Sequence, residues 1–212
     1  MLAVAALFAG SAFAQTPGFK FSNEDKEAEQ AKAARDASIA AQLSTPCRDR
    51  IRNQKIMVVI GERINGVVNA RQDKFSEHFD AINSRLRSMG LRTATQGEIR
   101  AQIAQAELDA YFKNDADAAL AASRKLAAAY TLRGLITSTA TVNPVLKINQ
   151  VIVGMRFTLT GANGRTLSQV ERRSESYAGA DVEGMALTLV NEQADEVVAR
   201  LYSDYCTNAG VK

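Results

Sequence analysis

Tryptophan is absent from this 212-residue chain, aromatic residues make up only 6% of it, and histidine occurs once, at His78. Proline occurs three times and cysteine twice. One histidine and two cysteines far apart in sequence make no recognised metal-ligand set, which argues against a zinc-type site. His78 is flanked by Glu77 and Asp80 on a helix-like segment. It lacks the partner and pocket a general base needs, and reads as a surface or half-buried helix histidine. No serine stands in a nucleophile-elbow context. The stretch from Gly61 to Gly66 has too few glycines, and no Lys followed by Ser or Thr, for a phosphate loop. The carboxylate pairs Glu24 with Asp25, and Glu192 with Asp195 and Glu196, read as solvated helix faces. Internal repeats are missing too. No enzymatic activity and no cofactor are expected.

Charge of one sign is equally scarce. The formal net charge is +3. A sequence-independent phosphate binder concentrates far more Lys and Arg on one face, so no nucleic-acid partner is expected.

What the chain does have is a hydrophobic content of 46%, enough for a core, and a length suited to one domain with extras. Residues 2–14 are an apolar run closing on Ala12, Phe13 and Ala14, a small-x-small cleavage pattern. We read 1–14 as a signal peptide, too short to span a bilayer of ~30 Å. No Lys or Arg precedes the run, so either the start lies upstream or the signal is atypical; a buried N-terminal helix is the plainer alternative. No cysteine follows the run to take a lipid. The expected compartment is the bacterial periplasm, with no transmembrane segment in the mature chain and association with the outer membrane left open. Cys47 and Cys206 bracket the expected folded domain. In an oxidising compartment such a pair suggests a disulfide, against the alternative of two unrelated buried thiols.

The pattern along the chain predicts an N-terminal arm over 15–46 and an α/β domain over 47–212. In the arm, Glu24 to Leu43 is an Ala-rich, charged helix with little to bury, either solvated or partner-binding. Lys55 to Ile60 reads as a strand buried on both faces. Gly61 to Ala70 reads as a loop. Phe75, Phe79, Ile82, Leu86 and Met89 stripe one helix, ended by Gly90. Leu91 to Thr95 is a short strand. Ile99, Ile103, Ala106 and Ala110 read as one further helix, and Asp115 opens another that runs to about Ala129. Tyr130 begins an alternating strand, and Asn143 with Pro144 turns the chain. Val151, Val153, Met155, Phe157 and Leu159 share one strand face, with a bulge expected near Gln150 because Leu146 and Ile148 are out of phase. Gly161 to Gly164 is a hairpin turn. Thr166 to Tyr177 is polar enough for an edge strand. A last helix runs from Asp181 to Tyr205. The expected fold is a mixed β-sheet with helices packed on it.

One segment carries a resemblance. The small-residue run Ala127 to Tyr130 leads into Leu132 to Ile136, then into the strand pair Val153 to Thr160 and Gly164 to Leu167. This resembles the pattern of bacterial envelope proteins with an anticodon-binding-domain-like α/β fold. Among them are the N-terminal domain of the TolB translocation protein, the curli-secretion lipoprotein and the lipoprotein activators of penicillin-binding proteins. The resemblance covers about residues 55–206 and rests on structural motifs. It implies a periplasmic binding or assembly module without enzymatic activity. The chain differs from the lipoprotein members in having no cysteine after its apolar run.

A cationic partner surface is also drawn from the residues. Arg48, Arg50 and Arg52 precede the first strand, and Arg156, Arg172 and Arg173 lie in the later ones; an ordinary charged surface is the alternative. The leading expectation is a periplasmic accessory protein that binds another envelope protein in secretion, appendage assembly or cell-wall synthesis. The second is a small-ligand or glycan-binding module shaped by residues 61–70. Oligomeric state is open.

Overall fold

The computed structural model describes residues 23–64, 67–70, 76–113 and 115–208. The expected signal peptide, and Phe75 of the expected helix stripe, lie outside the described residues. Helix α1 (Asn23–Leu43) is followed by a single turn, α2 (Arg48–Ile51). Strand β1 (Lys55–Ile64) and the short β2 (Val67–Asn69) precede α3 (Ser76–Ser88), β3 (Arg92–Thr93), α4 (Gln96–Gln102), α5 (Gln105–Phe112) and α6 (Ala116–Lys125). Three long strands follow, β4 (Tyr130–Val142), β5 (Asn149–Gly161) and β6 (Thr166–Ala178), and α7 (Val182–Asn208) closes the chain.

The strands form one mixed six-stranded sheet in the order β2-β1-β4-β5-β6, with β3 beside the start of β1. β1 pairs in parallel with β4 and β3; the β4–β5–β6 meander is antiparallel. The apolar run of β1 is buried on both faces: Ile56 to Ile60 are each at most 2% exposed. On one face, Leu132, Ile136, Val153, Met155 and Phe157 form a core with Phe79, Ile82 and Leu86 of α3 and Val190, Val197 and Leu201 of α7. On the other, α5 and α6 cover β1 and β4, and the outer part of β5 and β6 faces solvent.

Four expectations are corrected. Residues 61–64 and 67–69 are strand, not loop. Gly61, Glu62 and Arg63 continue the ladder to Leu135, Ile136 and Thr137, a tertiary pairing that local composition does not announce. The stripe from Ile99 to Ala110 is two helices. Ile103 is extended, with φ −119° and ψ 122°, and each helix has its own N-terminal cap. Glu98 accepts the Thr95 N–H at 2.7 Å, and Glu107 accepts the Ala104 N–H at 3.0 Å. α6 stops at Lys125, because Ala127 takes φ +48° and Ser123 Oγ donates to the Ala128 carbonyl. The bulge lies at Leu159/Thr160 against β6, where Leu167 is the extra residue; β4 and β5 stay in register through Gln150. Leu146 and Ile148 are out of phase because they belong to the turn.

Candidate functional site

β4 and β5 are each 13 residues long and run on past the end of their pairing with β1, with β6 alongside β5, to a connecting turn. That turn is ordered by Asn143. Its side-chain oxygen accepts the N–H groups of Val145 and Leu146, both at 2.9 Å. Its backbone N–H donates to the Ile148 carbonyl at 2.8 Å, and its carbonyl accepts from Lys147 N–H at 2.9 Å. Pro144 has no N–H to satisfy. The apolar side chains of this turn are therefore held outward: Val145 is 84% exposed, Val142 62% and Leu146 55%, with Ile148 and Tyr177 exposed as well. Tyr177 lies beside the turn, across the ladder from Gln150, with its hydroxyl 3.4 Å from Asn143 Nδ2. A cluster of apolar side chains with no core to join marks a docking surface rather than a packing element. In the sequence, Leu146 and Ile148 are out of phase with the set Val151, Val153, Met155, Phe157 and Leu159, and the structure places both in this exposed turn.

β6 is the open edge of the sheet. Its solvent-facing set, Gln169, Glu171, Arg173, Glu175 and Tyr177, matches the expected charged edge.

A second concavity lies at the carboxyl ends of the parallel strands β1 and β4, where α3 and α7 begin. Glu62, His78, Ser138 and Glu183 line it. Open α/β sheets often bind ligands in such a crevice. Burial pushes the Glu62 carboxyl above its ordinary value, and nearby Glu183 adds to this. Burial lowers the His78 imidazole, opposed by Glu77. His78 Nε2 is buried and meets no hydrogen-bond partner among the described residues. Among the described residues no group of His, Cys, Asp or Glu side chains is arranged to hold a metal ion.

The six arginines of the expected cationic surface do not come together. Arg172 and Arg173 are neighbours on β6 and so point to opposite faces. Arg172 reaches Glu196 of α7 at 2.6 Å. Arg156, on the open face, pairs with Glu171 at 3.0 Å. Arg48, Arg50 and Arg52 belong to α2 and its exit, at the end of the sheet where β1 and β4 begin. The cysteines do come together: Cys47 and Cys206 have Cα atoms 5.7 Å apart, inside the range a disulfide spans.

No family model matches the sequence, and no curated protein matches it. Several solved structures are similar to it. The hypothetical protein CT253 from Chlamydia trachomatis shares 14% identity over 74% of this chain and 99% of its own, with a TM-score of 0.49. Lipoprotein GNA1162 from Neisseria meningitidis shares 13% identity over 68% of this chain and 97% of its own, at 0.42. The LpoB C-terminal domain from Salmonella enterica shares 13% identity over 65% of this chain and 93% of its own, at 0.39. Identities this low bear on fold alone, and TM-scores below 0.5 leave function to be sought in the chain's own residues.

Proposed function

We propose that this chain is a non-enzymatic accessory protein of the bacterial periplasm that binds another envelope protein, in secretion, appendage assembly or cell-wall synthesis. The observation that carries the reading is the β4–β5 turn, where Val142, Val145, Leu146, Ile148 and Tyr177 are exposed together on a frame ordered by Asn143. Burying such a cluster against a partner releases water from apolar surface. The adjoining edge of β6 offers free backbone groups for strand addition. No helix among the described residues is long and apolar enough to cross a membrane.

The test is site-specific photo-crosslinking in cells. A photoreactive residue at Val145 should yield a discrete protein adduct, and the same residue at the exposed Arg100 on α4 should not. Val145→Glu with Leu146→Glu should remove co-purification of that partner while leaving the melting temperature within a few degrees, because both side chains are exposed. Adducts to lipid alone, or a partner that survives the double substitution, would overturn the proposal.

A further inference from the structure

β6 forms one edge of the sheet over 13 residues, whereas the opposite edge is made of the short β2 and β3. An unpaired strand offers a row of N–H and C=O groups to any strand that can lie beside it. Folded proteins guard such edges with brevity, proline, bulges or charge. From Ser168 to Ala178, β6 has no proline and keeps unbroken register with β5; its bulge lies before that, at Leu167. Its guard is charge, and the charge alternates in sign. Glu171, Arg173 and Glu175 share the exposed face, and Arg172 and Ser174 take the face towards α7. An edge of one sign would repel a copy of itself in every register. This edge repels its copy in some registers and attracts it in others.

When two identical strands pair antiparallel, they are related by a twofold axis. Outward backbone groups alternate along a strand, so the axis falls on a residue, which then stands opposite itself. An axis at Glu171, Arg173 or Glu175 sets like charges face to face, which is unfavourable. An axis at Arg172 sets Arg173 opposite Glu171. It also sets Arg172 against its own copy, and it calls on a Glu171 that Arg156 already holds at 3.0 Å. Axes nearer the start of β6 bring the bulge into the pairing, and axes beyond Glu175 leave only a few residues paired.

An axis at Ser174 meets none of these objections. Arg173 of each copy stands opposite Glu175 of the other, so the favourable pair occurs twice. The residue at the centre is small and uncharged. Among the described residues, neither Arg173 nor Glu175 makes an ion pair within the chain, so both are available.

We propose that two copies of this chain join through their β6 strands, antiparallel about Ser174, so that residues 170–178 of each pair and the two sheets run on as one. The strand that adds to β6 is then the β6 of a second copy. The inference rests on the reading of β6 as an edge open to strand addition and draws nothing from the apolar β4–β5 turn.

The experiment is sedimentation equilibrium on the full chain. It should associate reversibly to a dimer whose dissociation constant rises with salt, because exposed charges are screened. Arg173→Glu should weaken the dimer by about tenfold, and so should Glu175→Arg, since each sets like charges opposite one another on both sides of the axis. Arg173→Glu combined with Glu175→Arg exchanges the two charges and should restore the wild-type constant. An axis at Arg172 would leave that double variant weak, because Glu at 173 would face Glu171. Both side chains are exposed, so the melting temperatures should stay within a few degrees. Val145→Glu with Leu146→Glu, which removes the envelope partner, should leave the dimer intact, so the two readings fail separately. A monomer at every accessible concentration would overturn the proposal. So would a dimer indifferent to Arg173→Glu, or one that the charge exchange does not restore.

Discussion

The hydroxyl of Tyr130, the first residue of β4, lies 2.9 Å from the hydroxyl of Tyr205 near the end of α7, with the two rings edge to face and their centroids 5.1 Å apart. This contact ties the first residue of β4 to the helix that ends beside Cys47. Burial, and then the bond to Tyr130, push the Tyr205 phenol well above its ordinary pKa. Tyr205→Phe should keep the packing and lose the shared hydrogen bond. The expected loss is about 0.5–1.5 kcal/mol, read by urea unfolding. A loss beyond about 3 kcal/mol would mean that the hydroxyl does more than bond Tyr130.

Cys47 and Cys206 are expected to form one intramolecular disulfide. Tyr202 holds the approach to it, donating to the Thr45 carbonyl and accepting from Cys47 N–H at 3.3 Å. The bridge would close most of the described domain, since the cysteines stand 159 positions apart in sequence. Reduction should lower stability by about 2–5 kcal/mol. Intact mass of unreduced periplasmic material should be two hydrogens lighter than the reduced chain. Two alkylatable thiols in that material would refute the bridge.

Phe79 is 3% exposed at the centre of the α3 stripe. Phe79→Ala should cost about 3–5 kcal/mol, and thermal unfolding would show it. His78→Ala, one residue away but only half-buried, should cost less and leave partner binding intact. Loss of the cellular phenotype in a folded His78→Ala protein would give that histidine a functional role.

Glu62 sets a pH dependence whose sign follows from its raised carboxyl pKa. The folded state holds the proton more tightly than the unfolded state, whose value is near 4.5. Its contribution to stability is therefore full below about pH 4.5 and is lost as pH rises through the folded value. Glu62→Gln should raise the melting temperature above the folded-state pKa of Glu62, because it removes a carboxylate that burial and Glu183 disfavour. The gain over wild type should shrink as pH falls and vanish below about 4.5. A gain that persists at pH 4 would assign the effect to packing.

Helix α1 meets α7 through Ile39 and Leu43, both only partly buried, beside Glu192 and Asp195. A chain beginning at Ser44 keeps the Thr45 and Cys47 contacts to Tyr202. It should retain a cooperative melt with a loss of about 1–2 kcal/mol, in line with the modest apolar area exposed. If α1 also binds a partner, capture from periplasmic extract should fall while the melt holds. A collapse of the melt would place α1 in the core.

Much of the framework was legible because it is local. The unbroken run from Ile56 to Ile60 reads as a strand covered on both faces, and it is one. The charges on β6 read as an edge, and β6 is the edge. The turn at Gly161 to Gly164 needs a residue at positive φ, and Gly164 has φ +80°. The candidate site was less legible. Arg172 and Arg173 are adjacent in sequence, but alternation along β6 sets them on opposite faces. The phase break at Leu146 and Ile148 predicts a bulge, whereas the structure places both residues in an exposed turn.

The sequence by itself determined most of the longer strands and helices and the side chains they must hide, because period and turn chemistry act over a few residues. It also determined that Ile39 and Leu43 are nearly all α1 has to bury. Only the tertiary structure decided that β1 runs on to Ile64, since that extension exists through its pairing with β4. Only the tertiary structure set Thr131 across the ladder from Thr160, and Cys47 against Cys206. Those relationships depend on strand register and on the angle at which helices cross the sheet, which arise when distant segments compete for the same buried surface.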